Sequence, residues 1–164
     1  MPAIIWVFDT SPLIHLDQLG YLPILNEIVK GVVIPPAVRT ELRQGRGRPG
    51  AHVHKHAWVE VRTPDVVMVS KVRREFAGGA GETEALALAL ELNSGVVIDE
   101  KRARKYADRR GLIYTGVLGI LSATHSRGLA ERSLAQDLQV LEQSGMRLSE
   151  TIKADFVRRA KQGL

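Results

Sequence analysis

Four acidic residues, Asp9, Glu41, Glu82 and Asp99, occupy positions from which a folded chain could turn carboxylates toward one metal ion. Asp9 follows the apolar run AIIWVF at residues 3–8, and Asp99 follows VVI at 96–98. Both runs are short, continuous and rich in branched side chains, the pattern of strands buried on both faces of a parallel sheet. An acid directly after such a strand lies at its carboxyl end, where open α/β sheets keep their functional crevice. Glu82 opens a helix just after the break Gly78-Gly79-Ala80-Gly81, and Glu41 rides on the helix that follows the second strand.

Carboxylates gathered in one place are costly. Two like charges ~4 Å apart repel by about 4 kcal/mol at an effective dielectric near 20. Such a group persists by taking up protons or by binding a cation. With no cysteine and no paired histidine site, its donors are all oxygen, which suits Mg²⁺ or Mn²⁺. A hard divalent ion orients water and stabilises the charge that develops on a phosphodiester during in-line hydrolysis. Each acid also has a purely structural reading. Asp9 fits a turn, and Glu41 fits an exposed helix face. Glu82 and Glu84 would complement a helix N-terminus, worth ~0.3–1 kcal/mol, and Asp99 with Glu100 would start the helix after their strand.

The elements that must position these acids alternate. Strands are expected at residues 3–8, 32–34, 58–61 (at an edge), 96–98 and 112–114. Between and after them, helices are expected at about 13–19, 21–29, 37–45, within 65–76, and at 82–92, 100–110, 116–126, 133–143 and 149–161. Ser11-Pro12 reads as a helix cap followed by a first-turn proline. The segment GRGRPG at 45–50 reads as a mobile loop. Alternating strands and helices predict a three-layer α/β/α fold with a central parallel sheet. All 164 residues are expected to form one domain, with the helices at about 133–161 packed on it.

No apolar run approaches the ~18 residues that would span a bilayer. The N-terminus lacks a basic segment followed by a long apolar stretch, so an unprocessed chain is expected. The lack of cysteine fits a reducing cytoplasm. A net charge of +5 permits attraction to a polyanion. Basic residues crowd into Lys101, Arg102, Arg104, Lys105, Arg109 and Arg110, either a solvated helix face or a nucleic-acid surface.

Several strings carry a family resemblance: VFDTSPLIHL at 7–16, IPPAVRTEL at 34–42, GETEALALA at 81–89, VIDEKRARKYA at 97–107 and YTGVLGIL at 114–121. In this order they resemble PIN-domain proteins, in a branch related to the toxin nucleases of bacterial and archaeal toxin–antitoxin pairs. The resemblance implies Mg²⁺- or Mn²⁺-dependent RNA cleavage, with acids carried over to Asp9, Glu41 and Asp99. The third acid is Glu82 or Glu84, where toxin-like members usually have an Asp leading the helix; Glu82 is favoured because it directly follows the glycine break, and Glu84 stays open. The DTSP opening also departs from the common Asp-Thr-Asn, leaving Thr10 or Ser11 for a supporting polar contact.

Lys101, Arg102, Arg104 and Lys105, with Ser11 and Thr115, are the candidate RNA contacts. RNA, an antitoxin protein and a second copy of the chain are the candidate partners. An apolar dimer surface would sit on the early helices. The alternative is a non-catalytic PIN-like module that binds RNA or protein. His52, His54 and His56 alternate without a carboxylate or cysteine to complete a metal site, and His15 and His125 read as structural. Gly78–Gly81 lacks dinucleotide-fingerprint spacing. Trp6 and Trp58 read as core.

Overall fold

Side-chain alternation along short strands divides the interior into two layers. The computed structural model describes residues 4–161. Its strands are β1 (Ile5–Phe8), β2 (Gly31–Ile34), β3 (Val59–Val61), β4 (Gly95–Val97) and β5 (Tyr114–Thr115). They form one sheet in the order β3-β2-β1-β4-β5, with every pairing parallel. Trp6, Phe8, Val32, Ile34 and Val97 pack into one hydrophobic cluster, while Val7, Val33, Val96 and Ile98 pack into the other. Successive residues of a strand point to opposite faces. The result is a three-layer α/β/α fold.

Helices cover both faces. On the first lie α1 (Thr10–Leu19), α2 (Leu25–Ile28), α7 (Val117–Ser126) and α8 (Leu134–Gln143), which contribute Leu13, Leu16, Leu25, Ile120 and Leu141 to the core. On the second lie α4 (Val66–Glu75), α5 (Ala80–Leu92) and α6 (Lys101–Arg109). In α5, Ala85 to Ala89 are all buried, which explains why its sequence is apolar all round. The helix α3 (Pro36–Gln44) packs against α1 and α5, and α9 (Glu150–Lys161) against α7 and α8. No helix among the described residues is long and apolar enough to cross a membrane.

Most expected elements are present within a residue or two, and the shifts have local causes. The start expected at Ala3 lies outside the described residues. Helix α1 begins at Thr10 with Asp9 in the N-cap position, so Ser11 is not the cap. Pro12 is tolerated inside the first turn because its missing N–H would have no intrahelical acceptor there. Tyr21 to Val29 splits into a 3₁₀ turn at Leu22–Ile24 and the short α2. Strand β5 starts later than expected because Leu112 closes the end of α6, its N–H donating to the Ala107 carbonyl at 2.9 Å. The loop at 45–50 is tied down at one end, where the Gly50 N–H donates to the Asp17 carboxylate at 2.6 Å. Among the described residues the large exposed apolar side chains are Ile5, Val66, Val67, Ile113, Tyr114 and Ile152, none of them on α1 or α2.

A polar knot that the sequence does not announce fixes α8. The fully buried Asp137 accepts from Tyr21 Oη at 2.8 Å and from Arg132 Nε at 2.9 Å, and lies 2.7 Å from His125 Nε2. These partners come from three different segments, so the carboxylate joins α8 to the first helical layer. Removing one partner of a buried charge network leaves the others uncompensated. Asp137→Leu is expected to lower unfolding free energy by about 3 kcal/mol, measured as a shift in the urea midpoint at unchanged slope.

Candidate functional site

Order β3-β2-β1-β4-β5 puts the topological switch between β1 and β4, because the chain leaves β1 toward β2 and later returns to its other side. Ligand crevices in open α/β sheets form at such a point, beyond the carboxyl ends of the strands. Asp9 stands there, its backbone N–H donating to the Val97 carbonyl at 3.0 Å. It occupies the N-cap position of α1, yet its carboxylate makes no capping hydrogen bond, so it remains available. Asp9 is 5% exposed.

Asp9, Glu41 and Glu82 come together. With Thr10, Ser11, Ile14 and Gly79 they line one cavity of about 270 Å³. Each glutamate is held by donors at the rim. Glu41 accepts from the Thr10 hydroxyl and from the Gly81 N–H, the latter at 2.9 Å. Gly81 is required for this approach, since a Cβ there would stand 2.6 Å from Glu41 Oε2. Glu82 accepts from the Gly79 N–H at 3.1 Å, bracing the first turn of α5.

Glu84 is not brought to the cavity. Two residues beyond Glu82, it is turned ~200° around the helix, and it accepts from the Ala37 N–H at 2.9 Å. It therefore ties α5 to the first turn of α3. Glu41 reaches the other way, from α3 to α5. This reciprocal pair accounts for Glu84, and of the two glutamates of GETEA only Glu82 faces the cavity.

Asp99 is at the same end of the sheet but does not line the cavity. In the parallel register Phe8 pairs with Val97, so Asp9 is level with Ile98 and Asp99 lies one residue beyond. One residue reverses the side-chain face. Asp99 Oδ1 accepts from the Val117 N–H at 2.9 Å, at the start of α7. Its other oxygen is buried and has no hydrogen-bond partner among the described residues. Glu100 caps α6 through the Ala103 N–H at 2.8 Å, which leaves Asp99 free of that role.

Burial pushes the Asp9 carboxyl up to about 7; the Thr10 backbone partly offsets this, and the charges of Glu82, Glu41 and Asp99 add to it. Asp99 is also raised, by burial first, against the lowering effects of the Val117 N–H, Arg104 and His15. Among the described residues no three acidic or histidine side chains already converge on one point. The donors nonetheless fit a hard divalent cation. They are all carboxylate oxygens, one of them buried and unpaired, around an aspartate whose ionisation needs compensation.

The basic helix divides. Lys101 and Lys105 are exposed, and Arg102 donates to the Ala77 carbonyl at 3.1 Å. Arg104 turns inward, Nε donating to the Ile98 carbonyl at 2.9 Å, and so stands partly buried near Asp99. Gly116 leaves the space for both, since a Cβ there would collide with Arg104 and Asp99. Thr115 packs its hydroxyl against Gly119 in the next turn. Sequence reasoning missed Gly81 and Gly116 as spacers, although glycine beside each acid-bearing segment was the available signal. The grip of Thr10 on Glu41 supplies the supporting polar contact that the DTSP opening had left between Thr10 and Ser11.

A family model described as a PIN domain (DUF3368) matches residues 5–162. Among solved structures, the chain is similar to a PilT N-terminus domain protein from the hyperthermophilic archaeon Sulfolobus solfataricus P2. That likeness is 18% in identity with a TM-score of 0.48, covering 79% of this chain and 97% of that one. No curated protein matches the chain.

The raised carboxyl of Asp9 makes stability depend on pH with a definite sign. Below about pH 4 the group is protonated in both folded and unfolded chains. Between about 4 and 7 only the folded chain keeps the proton, so stability falls as pH rises through that window, by up to about 4 kcal/mol. In chelator, the urea midpoint is expected to be lower at pH 8 than at pH 5, and Asp9→Asn to remove most of that difference. A variant with the same pH slope as the parent would clear Asp9 of the effect.

Proposed function

The chain belongs to the PIN-domain family, and from that membership and its carboxylate cavity we propose a metal-dependent endoribonuclease that hydrolyses RNA phosphodiester bonds. Members of this family are generally nucleases, typically use divalent metals and commonly bind RNA. The observation that carries the reading is the meeting of Asp9, Glu41 and Glu82 in one cavity, with Asp99 at the end of the adjacent strand.

In this reading Asp9, Glu41, Glu82 and Asp99 hold Mg²⁺ or Mn²⁺. When bound, the ion supplies fixed positive charge against a phosphodiester that gains negative charge on the way to cleavage. The chain's own groups do the positioning. Thr10 steadies Glu41, and Arg104, anchored on the Ile98 carbonyl, lowers the cost of ionising Asp99. Ser11 offers a hydroxyl at the cavity wall, and Lys101, Arg102 and Lys105 supply positive charge for the RNA backbone, with Thr115 beside the start of α7. Glu84 has a positioning role through α3.

The same reading extends to a cytoplasmic toxin held inactive by an antitoxin protein. Val66 and Val67, 77% and 71% exposed on α4, offer apolar surface for that partner or for a second copy of the chain. A non-catalytic binding module is the second reading, favoured by the absence of three converged ligands among the described residues. Calorimetry separates the two: RNA binding without any divalent-ion binding supports the module.

Purified protein is expected to cleave RNA only with added Mn²⁺ or Mg²⁺, and Asp9→Asn to reduce the rate at least 100-fold, on the scale seen when a charge-stabilising group is lost. Retained cleavage by that variant removes Asp9 from the chemistry. Gly81→Ala is expected to separate two readouts. Thermal stability in chelator changes little, because alanine's better helix propensity, at most about 1 kcal/mol, offsets much of the loss of the Glu41–Gly81 contact. Mn²⁺ affinity falls on the order of tenfold, as when a ligand loses its supporting contact, because Glu41 is displaced.

A further inference from the structure

The opposite side of α3 carries a second concave site, and it is basic. Arg43 and Arg46, with His52, His54 and Lys55 from the following segment, line a cavity of about 230 Å³. An adjoining hollow of about 280 Å³ shares Arg43 and Arg46 and adds Thr40 and Gln44. From Glu41 to Arg43 the helix turns ~200°, so the acidic and basic sites lie back to back across α3.

The basic site is built rather than incidental. Gly50 ties the loop to α1 through Asp17 and packs too closely on Leu42 and Ile14 for a side chain, a Cβ there standing 2.9 Å from Leu42 Cδ2. Ala51 and Val53 are buried, and a 3₁₀ turn at Val53–Lys55 fixes the directions of His54 and Lys55. Among the described residues none of Arg39, Arg43, Arg46 or Lys55 has a carboxylate partner within ion-pair distance. His54 keeps a buried ring nitrogen, Nδ1, without a hydrogen-bond partner. Its pKa is lowered, by burial first and then by the charges of Arg43, Lys55, Arg39 and His52. Concentrated positive charge in a concave wall focuses the field on an anion, and guanidinium groups match phosphate oxygens in geometry.

We propose that the pocket of Arg43, Arg46, His52, His54 and Lys55 binds backbone phosphates of single-stranded RNA, holding the strand at a point remote from the carboxylate cavity. A helix diameter of ~10 Å separates the two sites. RNA as the occupant rests on the nuclease reading, but binding to the pocket is measured without cleavage.

The test is fluorescence anisotropy of a labelled oligouridylate, with chelator present, across a salt series. The double variant Arg43→Ala, Arg46→Ala is expected to weaken binding at least tenfold. Loss of two phosphate contacts also lowers the slope of log K against log salt by about 1.4, at ~0.7 per phosphate on single strands. Arg43→Lys with Arg46→Lys keeps the charge and is expected to keep the slope, which separates lost contacts from misfolding. Unchanged affinity and slope in the alanine pair overturn the proposal, as does tighter binding of a polyglutamate peptide than of RNA. A chain that binds in this way and never cleaves RNA leaves the pocket standing and removes the nuclease reading. Cleavage by a chain whose alanine pair binds normally does the reverse.

Discussion

Parallel pairing of β1 with β4 is the constraint on which the site depends. It brings Asp9 and Asp99, ninety residues apart, to one end of the sheet. It also keeps them from being equivalent. Asp9 is level with Ile98 and faces α5, while Asp99, one step farther, faces the start of α7. Strand register thus accounts for a cavity lined by three acids and a fourth that approaches from the neighbouring face.

Mutual repulsion explains much of the remaining detail. Glu41 is held by Thr10 and Gly81, Glu82 by Gly79, and Asp99 by Val117. Most of these donors are backbone N–H groups in the first turns of helices, where amides lack intrahelical partners and the helix dipole favours negative charge. Asp9 has the least such help and is the deepest, and its carboxyl is raised to about 7. In the proposed reading a hard cation would offset what those amides cannot. The cross-ties Glu41 to Gly81 and Glu84 to Ala37 clamp α3 against α5, so the chain spends one glutamate on holding another in position.

The fold was legible because its strands are short, apolar and separated by helices with clear starts and stops. The acids were legible because Asp9 and Asp99 directly follow two of those strands. What periodicity could not reveal was direction. Its place after the glycine break favours Glu82 in the string GETEA but leaves Glu84 open, and only packing of α5 on α3 turns one to the cavity and the other to Ala37. Arg104 read as one of several exposed cations, yet it points inward to Ile98. Nothing in the helix pattern singles out Asp137, since its partners Tyr21 and His125 are brought to it by tertiary contacts. Ser11 lost the cap position because the helix starts earlier than its Ser-Pro pair suggests.

Anomalous diffraction from crystals grown with Mn²⁺ is the most direct measurement. The expected result is a manganese peak at coordination distance from the Asp9 carboxylate, with Glu41, Glu82 or Asp99 completing its protein ligands. No peak at saturating Mn²⁺, or one bound away from Asp9, would contradict a shared-cation role for these acids.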